Sequence, residues 1–243
     1  MITLLADPGR FDGPEIEVLG EAYRHLFRAR RVAVGERLRV VDGQGRARWG
    51  EVARVGRSAA TVTLGGPAPD AEPAVRVDLL VATLKPERAA WLVEKATEVG
   101  VHTLRFVHSA RAPRSFGGGT VERLRRVAAA AVEQCGRSRL PEVTGTHEWK
   151  EIAALTRGFG VRRVLDTAAA DAADIADTAD RPESGTSSRE TAGIALLVGP
   201  EGGWTEEERA ALAAGGWRPL GLGPRVLRTE TAGVVAVARF LLS

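Results

Sequence analysis

The sequence predicts an α/β protein in which a small β-domain precedes a larger domain built on a mostly parallel sheet. Three observations predict it. Between Arg37 and Leu64, apolar and polar residues alternate with period two and are broken by glycine turns. From Val75 onward, strand-like apolar runs alternate with segments at helical spacing. Finally, two glycine-rich loops each leave a short apolar run and enter a helix. That arrangement is how α/β proteins turn backbone N–H groups towards a ligand.

The elements follow in order. Residues 2–6 read as a short strand and Glu21–Ala29 as a helix. Arg37–Val41, Arg48–Val55 and Thr61–Leu64 alternate as strands joined by turns such as Gly43-Gln44-Gly45, which indicates a small barrel or sandwich. Gly65 to Pro73 is punctuated by glycine and proline and marks the domain boundary. The expected domains are 1–70 and 74–243. Val77–Ala82 is a strand. Pro86 opens a helix through Glu98, with Gly100 as its stop. Leu104–Val107 is a strand, Thr120–Cys135 a helix, His147–Thr156 a helix and Arg163–Leu165 a strand. Residues 167–191 are Ala, Asp, Ser and Thr with almost no large apolar side chain, so a flexible acidic insertion is expected there.

The first loop, Gly199-Pro200-Glu201-Gly202-Gly203-Trp204, follows a strand from Gly193 to Val198. Thr205 then starts a helix with Glu208 three residues on, a capping-box spacing. The second loop, Gly221 to Thr229, follows a strand at Trp217–Leu220 and leads into an apolar helix over Thr231–Leu242. Neither loop carries the Gly-Lys-Ser/Thr ending of a phosphate-binding P-loop, and no Lys occurs after Lys150. The dinucleotide pattern also fails, because Val226 stands where its third glycine belongs. The loops point to a small ligand other than ATP or NAD.

The chain has 243 residues and a formal net charge of +3. The distribution of charge says more. Residues 21–57 carry ten Arg against four acids, and residues 105–139 eight Arg against two. Two basic blocks in separate segments suit a polyanion such as nucleic acid. Cys135 is the single cysteine, which excludes an internal disulfide and a thiolate metal cage and favours a reducing compartment. The four histidines fit no zinc spacing, so no metal is expected. No apolar run approaches the ~18 residues of a membrane span, and the start resembles no signal peptide. These features suit a cytoplasmic protein.

Leu197-Val198-Gly199-Pro200-Glu201-Gly202-Gly203-Trp204 and Leu222-Gly223-Pro224-Arg225-Val226-Leu227-Arg228-Thr229-Glu230-Thr231-Ala232 together resemble the RsmE-type 16S ribosomal RNA (uridine-N3)-methyltransferases of the SPOUT superfamily. Glu94 to Val101, Glu133 to Pro141, and Arg24-His25-Leu26 with Arg28 and Val34-Gly35-Glu36 agree with further family segments. The resemblance implies a PUA-like β-barrel for RNA, then a knotted α/β domain that binds S-adenosylmethionine. It also implies a homodimer acting on 16S ribosomal RNA, in the assembled 30S subunit. The knot is implied by the resemblance alone, since ordinary topology rules exclude it.

On that resemblance, the cofactor would be held by Leu197, Val198, Gly199, Pro200, Glu201 and Gly202 of the first loop and by Leu222, Gly223, Val226 and Leu227 of the second. Uracil N3 must lose a proton before it can attack a methyl group, so a base or a neighbouring cation is needed. Glu201 and Glu230 are the candidate bases and Arg228 the candidate stabiliser. Helix capping by the two glutamates and a structural ion pair for Arg228 are the alternatives. Arg24, His25, Arg28, Arg111 and Arg137 are the candidate RNA contacts. Two other functions stay open: a non-catalytic RNA-binding protein of ribosome assembly, which would not bind the cofactor, and a SPOUT methyltransferase with another RNA target.

Overall fold

A computed structural model describes residues 1–112, 116–166 and 193–242. The expected acidic insertion at 167–191 lies outside the described residues. The chain divides into two compact units. The first is Met1–Glu72 with Ala129–Leu140, and the second is Pro73–Ala128 with Pro141–Ser243.

The first unit is a five-stranded sheet of β1 (Thr3–Leu5), β2 (Glu15–Val18), β3 (Arg37–Val41), β4 (Ala47–Val55) and β5 (Ala60–Pro67). Its strand order is β1-β3-β4-β5-β2. The pair β1–β3 is parallel and the other pairs are antiparallel. Period-two alternation sends Leu38, Val40, Val52, Val62 and Leu64 into one core, together with Ile16 and Val18 of β2. The helix α1 (Gly20–Tyr23) continues as a π-helical turn over Arg24–Ala29, where the Arg30 N–H donates to the His25 carbonyl. Tyr23, Leu26 and Phe27 of this segment close the same core. The strand β2 escapes the sequence reading although its Glu-Ile-Glu-Val alternation is plain, because four residues give a weak signal.

The opposite face of β3 is covered as well. Val41 and Ala47 pack on Val132 of α3 (Gly118–Cys135). Arg39 is only 2% exposed and donates to the carbonyls of Gly136 and Pro69. Arg137 is buried against Glu72, with Nη2 to Oε2 at 2.7 Å. Glu72 also accepts from the Ser138 and Arg139 amides at 2.9 Å. Burial works against ionisation of Glu72, but the Arg137 guanidinium and these amides outweigh it and hold the carboxyl below its usual range. Pro69 and Glu72, in the stretch expected to mark the domain boundary, are thus tied to residues 137–139 and Arg39. Residues 129–140, placed by the sequence reading in the second domain, group with the first unit.

The second unit is a six-stranded, wholly parallel sheet: β6 (Val77–Ala82), β7 (Thr103–Val107), β8 (Glu142–His147), β9 (Val161–Leu165), β10 (Ile194–Val198) and β11 (Arg218–Leu220). Its order is β11-β9-β10-β6-β7-β8. The central strands β6 and β10 are buried at every position, as parallel strands covered on both faces must be. The helices are α2 (Pro86–Val99), α4 (Ile152–Leu155), α5 (Glu206–Ala214) and α6 (Thr229–Leu241), and α6 packs on α2, β6 and β10. The helix expected over His147–Thr156 is shorter than its pattern. Pairing with β7 holds the chain as strand through His147, so a 3-10 turn and α4 begin only at Trp149. Among the described residues, no helix is long and apolar enough to cross a membrane.

Candidate functional site

All strands of the second sheet run the same way, so the loops after β9, β10 and β11 gather at one end. There they line a cleft of about 260 Å³. Its walls are Leu165 and Asp166 after β9, Val198 to Glu201 with Gly203 and Trp204 after β10, and Leu220 to Arg228 (except Pro224) after β11. The first turn of α6 adds Thr229, and Ala232 completes the wall.

Local chemistry fixes the first loop. Gly203 has a φ of +69°, a left-handed conformation that side chains other than glycine's resist, and its N–H donates to the Pro200 carbonyl at 2.9 Å. Trp204 is 1% exposed, and its Nε1–H donates to the Leu165 carbonyl at 3.1 Å. Gly199 makes room for that indole: a Cβ there would lie 2.8 Å from Trp204 Cε2. Thr205 and Glu208 form the expected capping box of α5. Glu208 also accepts from the Ala110 amide at 3.0 Å, and Arg111 Nη1 donates to the Gly202 carbonyl at 2.9 Å. The loop after β7 is thereby tied to the first glycine loop. The second loop is tied in turn, because Thr229 Oγ1 donates to the Gly199 carbonyl at 3.1 Å.

The wall is apolar in its depth and polar at its rim. Leu165, Val198 and Leu220 are buried, while Glu201, Arg225 and Arg228 are exposed. Asp166 at the end of β9 is paired with Arg209, Oδ2 to Nε at 2.7 Å. Glu201 is ion-paired with Arg88 of α2. Arg88 Nε also stands 3.8 Å from Oε1 of Glu230, which is 7% exposed and whose Oε2 has no hydrogen-bond partner among the described residues. Among the described residues, the amides of Leu222, Gly223 and Arg225 to Leu227 donate to no protein group. Unpaired donors beside apolar walls are what an adenine edge and a ribose require. Among the described residues, no cluster of His, Cys, Asp or Glu could hold a metal ion.

The structure brings Val198, Gly199, Pro200, Glu201, Leu222, Gly223, Val226, Leu227 and Arg228 to this cleft. Four of the expected residues stand away from this wall. Leu197 is not on the cleft wall: the strand pleat turns it into the core beside Leu80 and Val107. Gly202 does not line it either, because its Cα faces Arg111 and its carbonyl is taken by that side chain. Glu230 is turned inward from the α6 start and is absent from the wall. Arg137 is not a free cation for RNA, since its charge is spent on Glu72. Arg24, His25, Arg28 and Arg111 are exposed, and Arg28 donates to the Arg57 carbonyl. Among the described residues neither glutamate caps a helix: Thr205 caps α5, and α6 has no side-chain cap. The sequence reading missed Arg88, Asp166 and Trp204 as partners of the loops. Trp204 closes the quoted motif and was within reach. Arg88 and Asp166 lie on other elements and carried no local signal.

The chain is similar to known proteins in sequence and in fold. Residues 71–241 match the model of the RNA methyltransferase domain, and residues 18–65 that of the RNA methyltransferase PUA domain. The ribosomal RNA small subunit methyltransferase E of Mycobacterium bovis is 33% identical over 90% of this chain and 82% of its own. The protein of the same name from Bacillus subtilis is 25% identical over 93% of this chain and 90% of its own. Among solved structures, ribosomal RNA small subunit methyltransferase E from Neisseria gonorrhoeae, bound to S-adenosylmethionine, superposes with a TM-score of 0.84 at 24% identity. That likeness covers 98% of this chain and 96% of the other, and extends the agreement to the whole fold.

Proposed function

The chain belongs to the ribosomal RNA small subunit methyltransferase E family, and from that membership we infer that it transfers a methyl group from S-adenosylmethionine to a uridine N3 of 16S ribosomal RNA. The observation that carries this reading is the cleft itself. It joins apolar walls, unpaired loop amides, an acid (Glu201) and a cation (Arg228) in one place. The residues present fit the cofactor. Leu220, Leu222 and Leu227 would hold the adenine, and the amides between Leu222 and Leu227 would bind its edge and the ribose. The sulfonium supplies an electrophilic methyl group for an in-line displacement, which needs alignment and exclusion of water more than covalent help.

The remaining demand falls on the uracil. Its N3–H must lose a proton as the new bond forms. Glu201 is the acceptor on the cleft wall, aimed by its ion pair with Arg88. Arg228, exposed at the α6 start, would stabilise the negative charge that develops on the uracil carbonyls. Arg24, His25 and Arg28 on the first unit would add RNA affinity, and Arg111 a contact nearer the cleft. The reading includes a cytoplasmic 30S substrate and a homodimer. The second unit leaves Trp91 42%, Val226 80% and Val235 39% exposed, apolar surface that a second copy would cover. Sedimentation of a fully active monomer would remove that part.

Primer extension on small-subunit ribosomal RNA tests the product. A methyl on N3 removes a Watson–Crick donor, so one new strong stop at a uridine is expected after incubation with S-adenosylmethionine. The assay should be run on 30S particles and on naked RNA. Methyl incorporation without a stop would instead place the group on a ribose or on carbon 5.

A further inference from the structure

We propose that the outer face of the five-stranded sheet forms a shelf for one unpaired RNA base, guanine in preference, stacked against Arg37 and Trp49. The proposal rests on the reading that the protein acts on RNA. A concavity of about 530 Å³ lies on this face, lined by Arg37, Trp49, Glu51, Thr63, Gly65 and Gly66 among others. Strand register sets these residues side by side: Arg37 is opposite Glu51, and Glu51 is opposite Thr63. Further along the same face Arg39 and Val41 are covered by Gly136 and Val132. The cover stops there, and Arg37, Glu51 and Thr63 stand in solvent.

The backbone makes the shelf. Between the pairs Arg48–Pro67 and Gly50–Leu64 the register shifts, so that Gly65 and Gly66 together face the single residue Trp49. A bulge disrupts the ladder and glycine weakens a strand, so both features cost stability. What they provide is open space. Among the described residues, a Cβ on Gly66 would meet no atom within 4 Å, and one on Gly65 would meet only Trp49, at 3.5 Å and 3.9 Å. The strand opposite the indole thus has a floor without side chains. The Arg37 guanidinium lies over the indole, 4.9 Å from the ring centroid. Unpaired bases stack on guanidinium planes and aromatic rings of this kind.

Glu51 supplies the preference. It is exposed and makes no ion pair among the described residues, although Arg37 stands opposite. A carboxylate accepts two parallel N–H bonds, and of the four RNA bases guanine alone offers two adjacent donors, N1–H and N2–H. Uracil offers one donor between two carbonyls that a carboxylate repels. Exposed Arg54 and Arg57 on the same unit can take the flanking phosphates.

The test uses the full chain and labelled seven-nucleotide RNAs, oligouridine and the same strand with a central guanine, followed by fluorescence anisotropy. Calorimetry with S-adenosylmethionine runs in parallel. The guanine strand should bind more tightly. Trp49→Ala and Gly66→Leu should each weaken it about 10-fold, the scale of one lost stacking contact. Glu51→Gln should remove the guanine preference and leave oligouridine binding unchanged. Cofactor affinity should not move in any variant. Should Trp49→Ala lose cofactor binding too, it has misfolded and Gly66→Leu, which fills open space, decides. Wild-type affinity in Gly66→Leu overturns the shelf and leaves the RNA reading standing. Equal binding of the two strands by the wild type overturns the guanine preference. Failure of the wild type to bind either strand overturns the shelf and the RNA reading together.

Discussion

Trp204 and Leu165 are joined by a buried hydrogen bond of 3.1 Å, from the indole N–H to the carbonyl that ends β9. The bond fixes the loop after β10 to the neighbouring strand, so the cleft wall is held by a side chain that also fills the core. Trp204→Phe should keep most of the packing and leave the Leu165 carbonyl buried without a donor. The expected loss is about 1–3 kcal/mol of stability, with weaker cofactor binding. Thermal unfolding and calorimetry check it. An unchanged melting temperature together with unchanged affinity would show that the bond does not hold the wall.

Two neighbouring glycines should behave oppositely. Gly199→Ala puts a Cβ 2.8 Å from the Trp204 ring, so the indole must shift, at a cost of about 1–3 kcal/mol, and cofactor affinity should fall. Gly202→Ala puts a Cβ 3.3 Å from Arg111 Cβ, away from the cleft, and should leave cofactor affinity near wild type. Calorimetry on both variants separates them, and the reverse order would mean that Gly202 forms the wall.

The Glu72–Arg137 pair should make stability sensitive to acid. Glu72 ionises more readily in the folded chain than the ordinary glutamate value of 4.5. Its contribution is therefore complete above about that pH and is lost as pH falls through the lowered value. Glu72→Gln leaves Arg137 buried without its charge partner and should cost about 3 kcal/mol at neutral pH. Denaturant melts should show the gap between variant and wild type closing below pH 4.5. A gap that persists undiminished into acid would assign the loss to packing rather than charge.

RNA binding by the full chain should weaken steeply with salt, because each Arg–phosphate contact releases counterions. Arg24→Ala and Arg28→Ala should each lower the slope of log affinity against log salt by about 1. Arg137→Ala should lower stability instead, since that side chain is buried. Salt-independent binding would exclude the arginine face as the RNA surface.

Much of this was legible in the sequence because it is local. The capping box of Thr205 and Glu208, the alternation in β3 and β4 and the two glycine loops all announce themselves within a few residues. What was missed depends on distance along the chain. Arg88 meets Glu201 across 113 residues, and Glu72 meets Arg137 across 65. Leu197 and Val198 are adjacent and equally apolar, and only the pleat decides which one reaches the cleft. The second loop is expected to share the cofactor with the first, but the bond from Thr229 to the Gly199 carbonyl spans 30 residues and has no local signal.

The position of β10 has a kinetic consequence. It lies between β6 and β9, both of which precede it in the chain, and it pairs with each over five residues. Until Ile194–Val198 inserts, β6 and β9 each present an unsatisfied apolar edge, and no local hairpin can close the gap. Refolding must wait for this long-range event, since loop closure is paid for before the pairing rewards it. The interval before insertion is when the chain is most exposed to aggregation, and a ligand that binds the loop after β10 can only hold that strand in place once it has arrived.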